Sequence, residues 1–296
     1  MKMTRVPLGG MAVVHRGMGR FKVLDFSRLL PGPYATQLLA DLGMRVTCVE
    51  FPQMPETSRT LMPALFMALN RGKRRLIIDP KTPQGLRRIE ALARKADVIV
   101  EGFRPGVMER LGIGYAKIKK TNPKLVYCSM SGYRPNGKMG SKAGHDLNFL
   151  AQSGWLGLTQ PPRMPPAPLA DMAGSLGAVA GVLAALLEGR GRHVQVALTD
   201  AAHSILALPL AGQDKEPWWS GSDPFYRLYR TKDHGWIAVG ALEKRFSGAL
   251  MAFLGQPKNL EAAFAARTTA QWTKTLAETD FCVTPVLSLK QAARQL

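Results

Sequence analysis

Acidic residues are scarce in this chain of 296 residues: 21 Asp and Glu stand against 40 Lys and Arg, a net charge of +19. The excess favours anionic partners such as nucleic acid, anionic lipid or a phosphorylated small molecule, and charge alone does not choose among them. No zinc-finger spacing, RNA-binding aromatic signature or basic heptad array accompanies the cations, so no specific nucleic-acid partner is expected. Cysteine is rarer still. Cys48, Cys128 and Cys282 lie far apart with no C-x-x-C pair, which excludes a disulfide framework and a thiolate zinc site, leaves metal ligation unsupported and points to a reducing, cytoplasmic compartment. A secretory signal is also missing: residues 1–20 carry Lys2, Arg5, Arg16 and Arg20 without an acid but have no apolar centre. They read as an N-terminal extension, with an organellar presequence as the alternative. Long apolar runs are lacking too. The most apolar window, Met172 to Leu187, falls short of the roughly 20 residues of a spanning helix, so no membrane span is expected, and its Gly- and Ala-rich composition reads as a buried core helix.

What is present is a large apolar fraction, 46%, enough for an extensive core. FKVLDFS reads as a strand, PYATQLLADLG as a helix ending at Gly43 and RVTCVEF as a second strand. RLIIDP, DVIVEGF and KLVYCSMSGY add strands, and KTPQGLRRIEALARKA adds a helix with Pro83 in its first turn. Strands alternating with helices predict an α/β fold, a Rossmann-like parallel sheet covered on both faces. After Asp200 the texture changes. FYRLYRT and GWIAVGAL predict a hairpin, helical pieces follow around Glu243 to Leu254 and Thr268 to Ala277, and CVTPVLSL is strand-like. The expected organisation is an extension over 1–20, a large α/β domain over 21–211, a linker over 212–222 and a smaller α+β domain over 223–296.

In a parallel sheet, ligands bind beyond the carboxyl ends of the strands. The first such loop, LLPGPYA, lacks the glycine fingerprint of a dinucleotide site, and Pro31 and Pro33 remove donors needed to cradle a pyrophosphate. A nicotinamide oxidoreductase is therefore disfavoured. The basic groups in NRGKRRLIIDPK and VEGFRPGVMERLG suit phosphate instead: Arg104 follows a strand and precedes a helix start, where a guanidinium meets phosphate bidentately.

These stretches, with LVYCSMSGY, AGHDLNF, PLADMAGSLGA and ETDFCVTPVLS, resemble in order and spacing the CoA transferase family III proteins, a group that includes 2-methylacyl-CoA racemases. The resemblance runs from about Phe21 to Leu287. It implies no prosthetic group, with coenzyme A bound as part of an acyl-CoA thioester substrate. It also implies CoA contacts from Arg71, Lys73, Arg74 and Arg104, from Ile78, Asp79 and Lys81 near the nucleotide, and from Gly144, Asp146, Leu147, Asn148 and Phe149. In the transferase branch an aspartate matching Asp171 is the acyl-accepting nucleophile. In the racemase branch a G-H-D segment like Gly144-His145-Asp146 supplies an imidazole, the later aspartate is the second proton-transfer group, and an acid matching Glu243 orients the histidine. Inverting a carbon beside a thioester requires a proton-transfer group on each face, and His145 with Asp171 supplies such a pair. The expected activity is thus an α-methylacyl-CoA racemase or epimerase. A CoA transferase, or a CoA-binding homologue without turnover, is the alternative. Asp146 has a further reading as a helix cap, and Tyr229 as either an acyl-pocket or a core residue.

Where racemases of the group carry a basic residue after the second strand this chain has Phe51, and Pro80 replaces an apolar residue. The chain also stops at Leu296, before the return segment that the resemblance leads one to expect. Family members form interlocked homodimers, so a homodimer is expected here, with an altered interlock.

Overall fold

The computed structural model describes residues 16–212 and 220–295. They divide into two compact units, with the boundary between Ala207 and Leu208. Most of the expected linker, at 213–219, and most of the expected N-terminal extension, at 1–15, lie outside the described residues; Arg16–Arg20 forms a 3-10 turn.

The large unit holds β1 (Lys22–Asp25), α1 (Pro31–Asp41), β2 (Arg45–Glu50), α2 (Ser58–Leu61), α3 (Pro63–Asn70), β3 (Arg74–Ile77), α4 (Pro83–Ala93) and β4 (Val98–Glu101). It continues through α5 (Val107–Arg110), α6 (Tyr115–Thr121), β5 (Val126–Ser131), α7 (Asp146–Ser153), α8 (Leu169–Glu188), β6 (Arg192–Ala197) and α9 (Leu198–Ser204), and the boundary falls within α10 (Ala207–Ala211). The six strands pair in parallel in the order β3-β2-β1-β4-β5-β6. The order reverses between β1 and β4, which opens a crevice at their carboxyl ends.

Successive strand residues enter opposite cores. Val23, Val98, Val100 and Val126 pack on the face bearing Leu38 of α1, Leu150 of α7 and Val182 of α8. Leu24, Ile99 and Tyr127 pack on the other, with Ile89 of α4 and Ile118 of α6. With both faces covered, the strands have no polar side to alternate with, which is why they read as near-continuous apolar runs.

Two features differ from expectation. Strand β6 was not evident from RHVQVA because, at the sheet edge, it interleaves Arg192, His193 and Gln195 with its apolar residues. Helix α8 is longer than its apolar window, 20 residues, and by length and composition could cross a membrane. It is instead layered on β5 and β6 and packs against α1, α7 and α9. It is also not buried all round: one face carries Val179 and Val182 into the core, while Leu176 and Leu187 are exposed. Its glycines permit close approach, since a Cβ at Gly174 would lie 2.2 Å from Leu198 and one at Gly181 2.7 Å from Val194.

The smaller unit contains β7 (Tyr226–Arg230), β8 (Trp236–Gly240), α11 (Lys244–Phe253), α12 (Leu260–Ala265), α13 (Thr269–Leu276), β9 (Val283–Pro285) and α14 (Leu289–Ala292). Its strands form an antiparallel sheet in the order β7-β8-β9. Its core gathers Tyr229, Ile237, Phe264 and Trp272. The Tyr229 hydroxyl donates to the Pro224 carbonyl at 2.6 Å and its ring stacks on Phe264, so Tyr229 is a core residue with a satisfied polar tip.

Ile99 is 1% exposed at the centre of the sheet. Ile99→Ala is expected to cost about 2–5 kcal/mol through lost transfer energy and the cavity left behind, which a lower urea midpoint at an unchanged slope will report.

Candidate active site

The loop after β5 leads into α7 through Gly144 and His145. A Cβ at Gly144 would fall 2.7 Å from the Phe149 ring and 3.0 Å from the Tyr133 hydroxyl, so glycine lets the chain pass over this edge-to-face aromatic pair. His145, exposed and extended, is the N-cap of α7, and its backbone N–H donates to Asn148 Oδ1 at 3.0 Å. That fixes where the imidazole leaves the chain. Phe149 is buried beneath it, and Leu147 and Asn148 are exposed on the first turn.

Asp146 is half-buried, and it caps a helix other than its own. Its Oδ1 accepts the backbone N–H of Asp171 at 2.9 Å, satisfying one of the unpaired amides in the first turn of α8. One carboxylate thereby joins the starts of two helices and brings the His145-Asp146 pair and Asp171 into one place. Burial first, and then the negative charge of Asp146, push the Asp171 carboxyl up from 3.8 to about 7. One turn further along α8, the Ser175 hydroxyl stands 2.7 Å from the carbonyl of Asp171 and 2.7 Å from that of Pro31, at the start of α1. Ser175 was not singled out from sequence, although its position four residues after Asp171, where a hydroxyl returns to the preceding turn, was a usable signal.

Of the residues expected to hold CoA, Arg71, Lys73 and Arg74 line one cavity of about 350 Å³ with Asp25, Ser27 and Glu56. They are not equivalent. Arg71 pairs with Asp41 at 2.7 Å but keeps much of its side chain in solvent, and Arg74 is exposed. Lys73 points inward: its side chain is 1% exposed, and its ammonium donates to the Pro33 carbonyl at 2.9 Å and the Thr36 hydroxyl at 2.7 Å and pairs with the equally buried Asp25 at 3.4 Å. Among the three, Lys73 thus differs from the expectation of a free cation, because its charge is engaged by Asp25 and the start of α1. Arg104 and Lys81 are exposed, and Ile78 is buried in the core. Asp79 accepts from the Lys81 amide at 2.9 Å and from the Gln53 side chain at 2.7 Å, closing a turn. Glu243 lies in the smaller unit as the exposed N-cap of α11. Among the described residues, no cluster of three His, Cys, Asp or Glu is arranged to hold a metal.

A second acid with a raised proton affinity was not foreseen. Glu101, at the end of β4, accepts from the Phe103 amide at 2.8 Å, and burial pushes it up to about 7 against the help of that bond and one from Ser129. Ser129 Oγ in turn lies 2.9 Å from His193 Nε2.

A doubly wound parallel sheet with paired acids at helix starts beyond its carboxyl edge defines the class. Residues 19–296 match the family model CoA-transferase family III, and the chain belongs to that family. It is 34% identical to human alpha-methylacyl-CoA racemase, covering 91% of this chain and 77% of that protein. It is also 31% identical to mouse succinyl-CoA:glutarate CoA-transferase, covering 91% of this chain and 72% of that one. A crystal structure of a CAIB/BAIF family protein from Brucella suis superposes with a TM-score of 0.79 at 26% identity, covering 92% of this chain and 84% of that one. A hypothetical protein from Mycobacterium tuberculosis gives a TM-score of 0.81 at 32% identity, covering 92% of this chain and 84% of that one. The family is enzymatic and acts on CoA thioesters, and it contains both racemases and transferases.

Because the folded state keeps a proton on Asp171 that the unfolded chain releases near 3.8, it binds more protons between about pH 4 and pH 7. The contribution of Asp171 to stability therefore falls as pH rises through that window and levels off above it. Relative to wild type, Asp171→Asn should become progressively more stable from pH 4.5 to pH 8 in urea titrations, and a pH-independent difference would contradict the buried-acid geometry.

Proposed function

We propose that the protein is an acyl-CoA racemase or epimerase that inverts the α-carbon of 2-methyl-branched thioesters by two-base proton transfer. The observation that carries this reading is the bond from the Asp171 amide to the Asp146 carboxylate, which sets an imidazole-bearing helix start against a helix start bearing a carboxyl group raised to about 7. A group half-protonated near neutral pH can both remove and return a proton. As a nucleophile the same aspartate would be ionised only in part, which favours proton transfer over acyl transfer.

In this mechanism one of His145 and Asp171 removes the α-proton and the other delivers a proton to the opposite face, the roles exchanging with the enantiomer bound. The enolate oxygen is held by the amides of Asp146 and Leu147, which precede the first backbone bond of α7, from the Asn148 amide to the His145 carbonyl, and lie at the positive end of the helix. Arg71, Arg74 and Arg104 meet the CoA phosphates, the Ile78–Lys81 turn lies along the nucleotide, and the Gly144–Phe149 segment lies along the thioester. Lys73 belongs to the scaffold. The reading carries with it the homodimer of the family, for which sedimentation equilibrium is the measurement.

A single enantiomer of a 2-methylacyl-CoA incubated in deuterated water should exchange its α-proton and lose optical purity. His145→Ala and Asp171→Asn should each reduce kcat/KM by about 10²-fold or more while leaving CoA binding largely intact. Acyl exchange into a labelled free acid with a covalent adduct at Asp171, without α-exchange, would assign the transferase activity instead.

A further inference from the structure

We infer that Glu56 is a positioning residue for this site, which holds Leu29 in a left-handed backbone conformation and so fixes the loop between β1 and α1 beside Asp171; the inference rests on the acyl-CoA reading above.

Leu29 has φ of 67°, and among the described residues it is the one non-glycine position of the large unit with positive φ. L-residues with a Cβ rarely adopt this conformation, and when one does, the surroundings impose it. The imposing group is the carboxylate of Glu56, 8% exposed. Its Oε2 accepts the Leu29 N–H at 2.9 Å and its Oε1 accepts the Ser58 N–H at 2.9 Å. Both oxygens are thus engaged by backbone donors, one of them 27 residues away in sequence, in charge-assisted bonds that a neutral side chain would not reproduce.

The loop so held lies at the carboxyl end of β1, next to the reversal of strand order where parallel sheets bind ligands. It reaches the proposed catalytic turn through one hydroxyl: Ser175 Oγ stands 2.7 Å from both the Pro31 and the Asp171 carbonyls. Glu56 and Ser27 also line the cavity that contains Arg71 and Arg74. If Leu29 relaxed to negative φ, the chain entering Pro31 would be redirected and the Ser175 link from Pro31 to the Asp171 turn would be strained. The apolar Leu29 side chain, 38% exposed, is held there as well. Glu56 acts through this loop and touches no reacting atom.

The test compares wild type with Glu56→Gln, Leu29→Gly and the double variant. Gln keeps the shape but turns a donor toward one of the two amides, whereas Gly adopts positive φ without a clamp. Glu56→Gln is expected to raise KM for the acyl-CoA by about fivefold or more, with kcat changed less, and the same substitution in the Leu29→Gly background should change KM by less than about twofold, a coupling of the size found for residues in contact. Additive effects of the two substitutions on KM would overturn the inference. Hydrogen exchange at the Leu29 amide supplies a readout that needs no turnover: Glu56→Gln should accelerate it by about tenfold or more while core amides remain protected. Unchanged exchange overturns the clamp whatever the activity. Accelerated exchange in a protein that neither exchanges the α-proton of any 2-methylacyl-CoA nor binds it would instead retain the clamp and overturn the racemase reading.

Discussion

The site hangs on one hydrogen bond, from the backbone N–H of Asp171 to the carboxylate of Asp146. Without it, the Asp171 amide in the first turn of α8 would lack its acceptor. With it, a residue adjacent to His145 is bonded to the backbone of Asp171, so the two helix starts lie side by side. The same carboxylate also acts at a distance, because its charge adds to burial in keeping Asp171 protonated into the neutral range. Structure and proton affinity thus share a cause.

Around that bond the elements are closely packed and cross-linked by hydrogen bonds. Helix α8 lies close on the sheet because Gly174 and Gly181 leave room for Leu198 and Val194, and its first turns are tied to α1 through Ser175. The other side of α1 is held by Lys73, whose buried ammonium bonds the Pro33 carbonyl and Thr36 and faces Asp25. Taking two charges out of water costs several kcal/mol per ion, and here the cost is offset by hydrogen bonds on both partners. Asp25 also accepts from Ser27 and Thr36. A lysine in a run of surface cations is thereby part of the framework that places the first loop.

Membership of CoA-transferase family III leaves two chemistries open, because racemases and transferases both stand at about one-third identity to this chain. In this chain the proton affinity of Asp171 is set by burial and by Asp146, surroundings contributed by residues far apart in sequence. The raised Asp171 carboxyl and the neighbouring His145 are what the racemase proposal rests on.

Much of the architecture was legible in the sequence. The alternation of apolar strands with helices in residues 21–131, the glycine at the end of the first helix and the hairpin at FYRLYRT and GWIAVGAL are local consequences of propensity and burial, and they appear in the structure at nearly the expected bounds. The motifs single out His145 and Asp171, and the structure brings the two helix starts that bear them together. The edge strand β6 was not legible, because half of its side chains meet solvent and blur the apolar run. Neither the inward turn of Lys73, the cross-helix cap from Asp146, nor the clamp of Glu56 on Leu29 could be read from neighbours along the chain. The sequence by itself determined which elements form, which faces are apolar and which residue types are available for chemistry, since those follow from interactions within a few residues. Only the tertiary structure decided which charges are buried, which carboxylate caps which helix and how far Asp171 is shifted, because desolvation and hydrogen bonding depend on atoms that folding brings together from positions 25 to 144 residues apart.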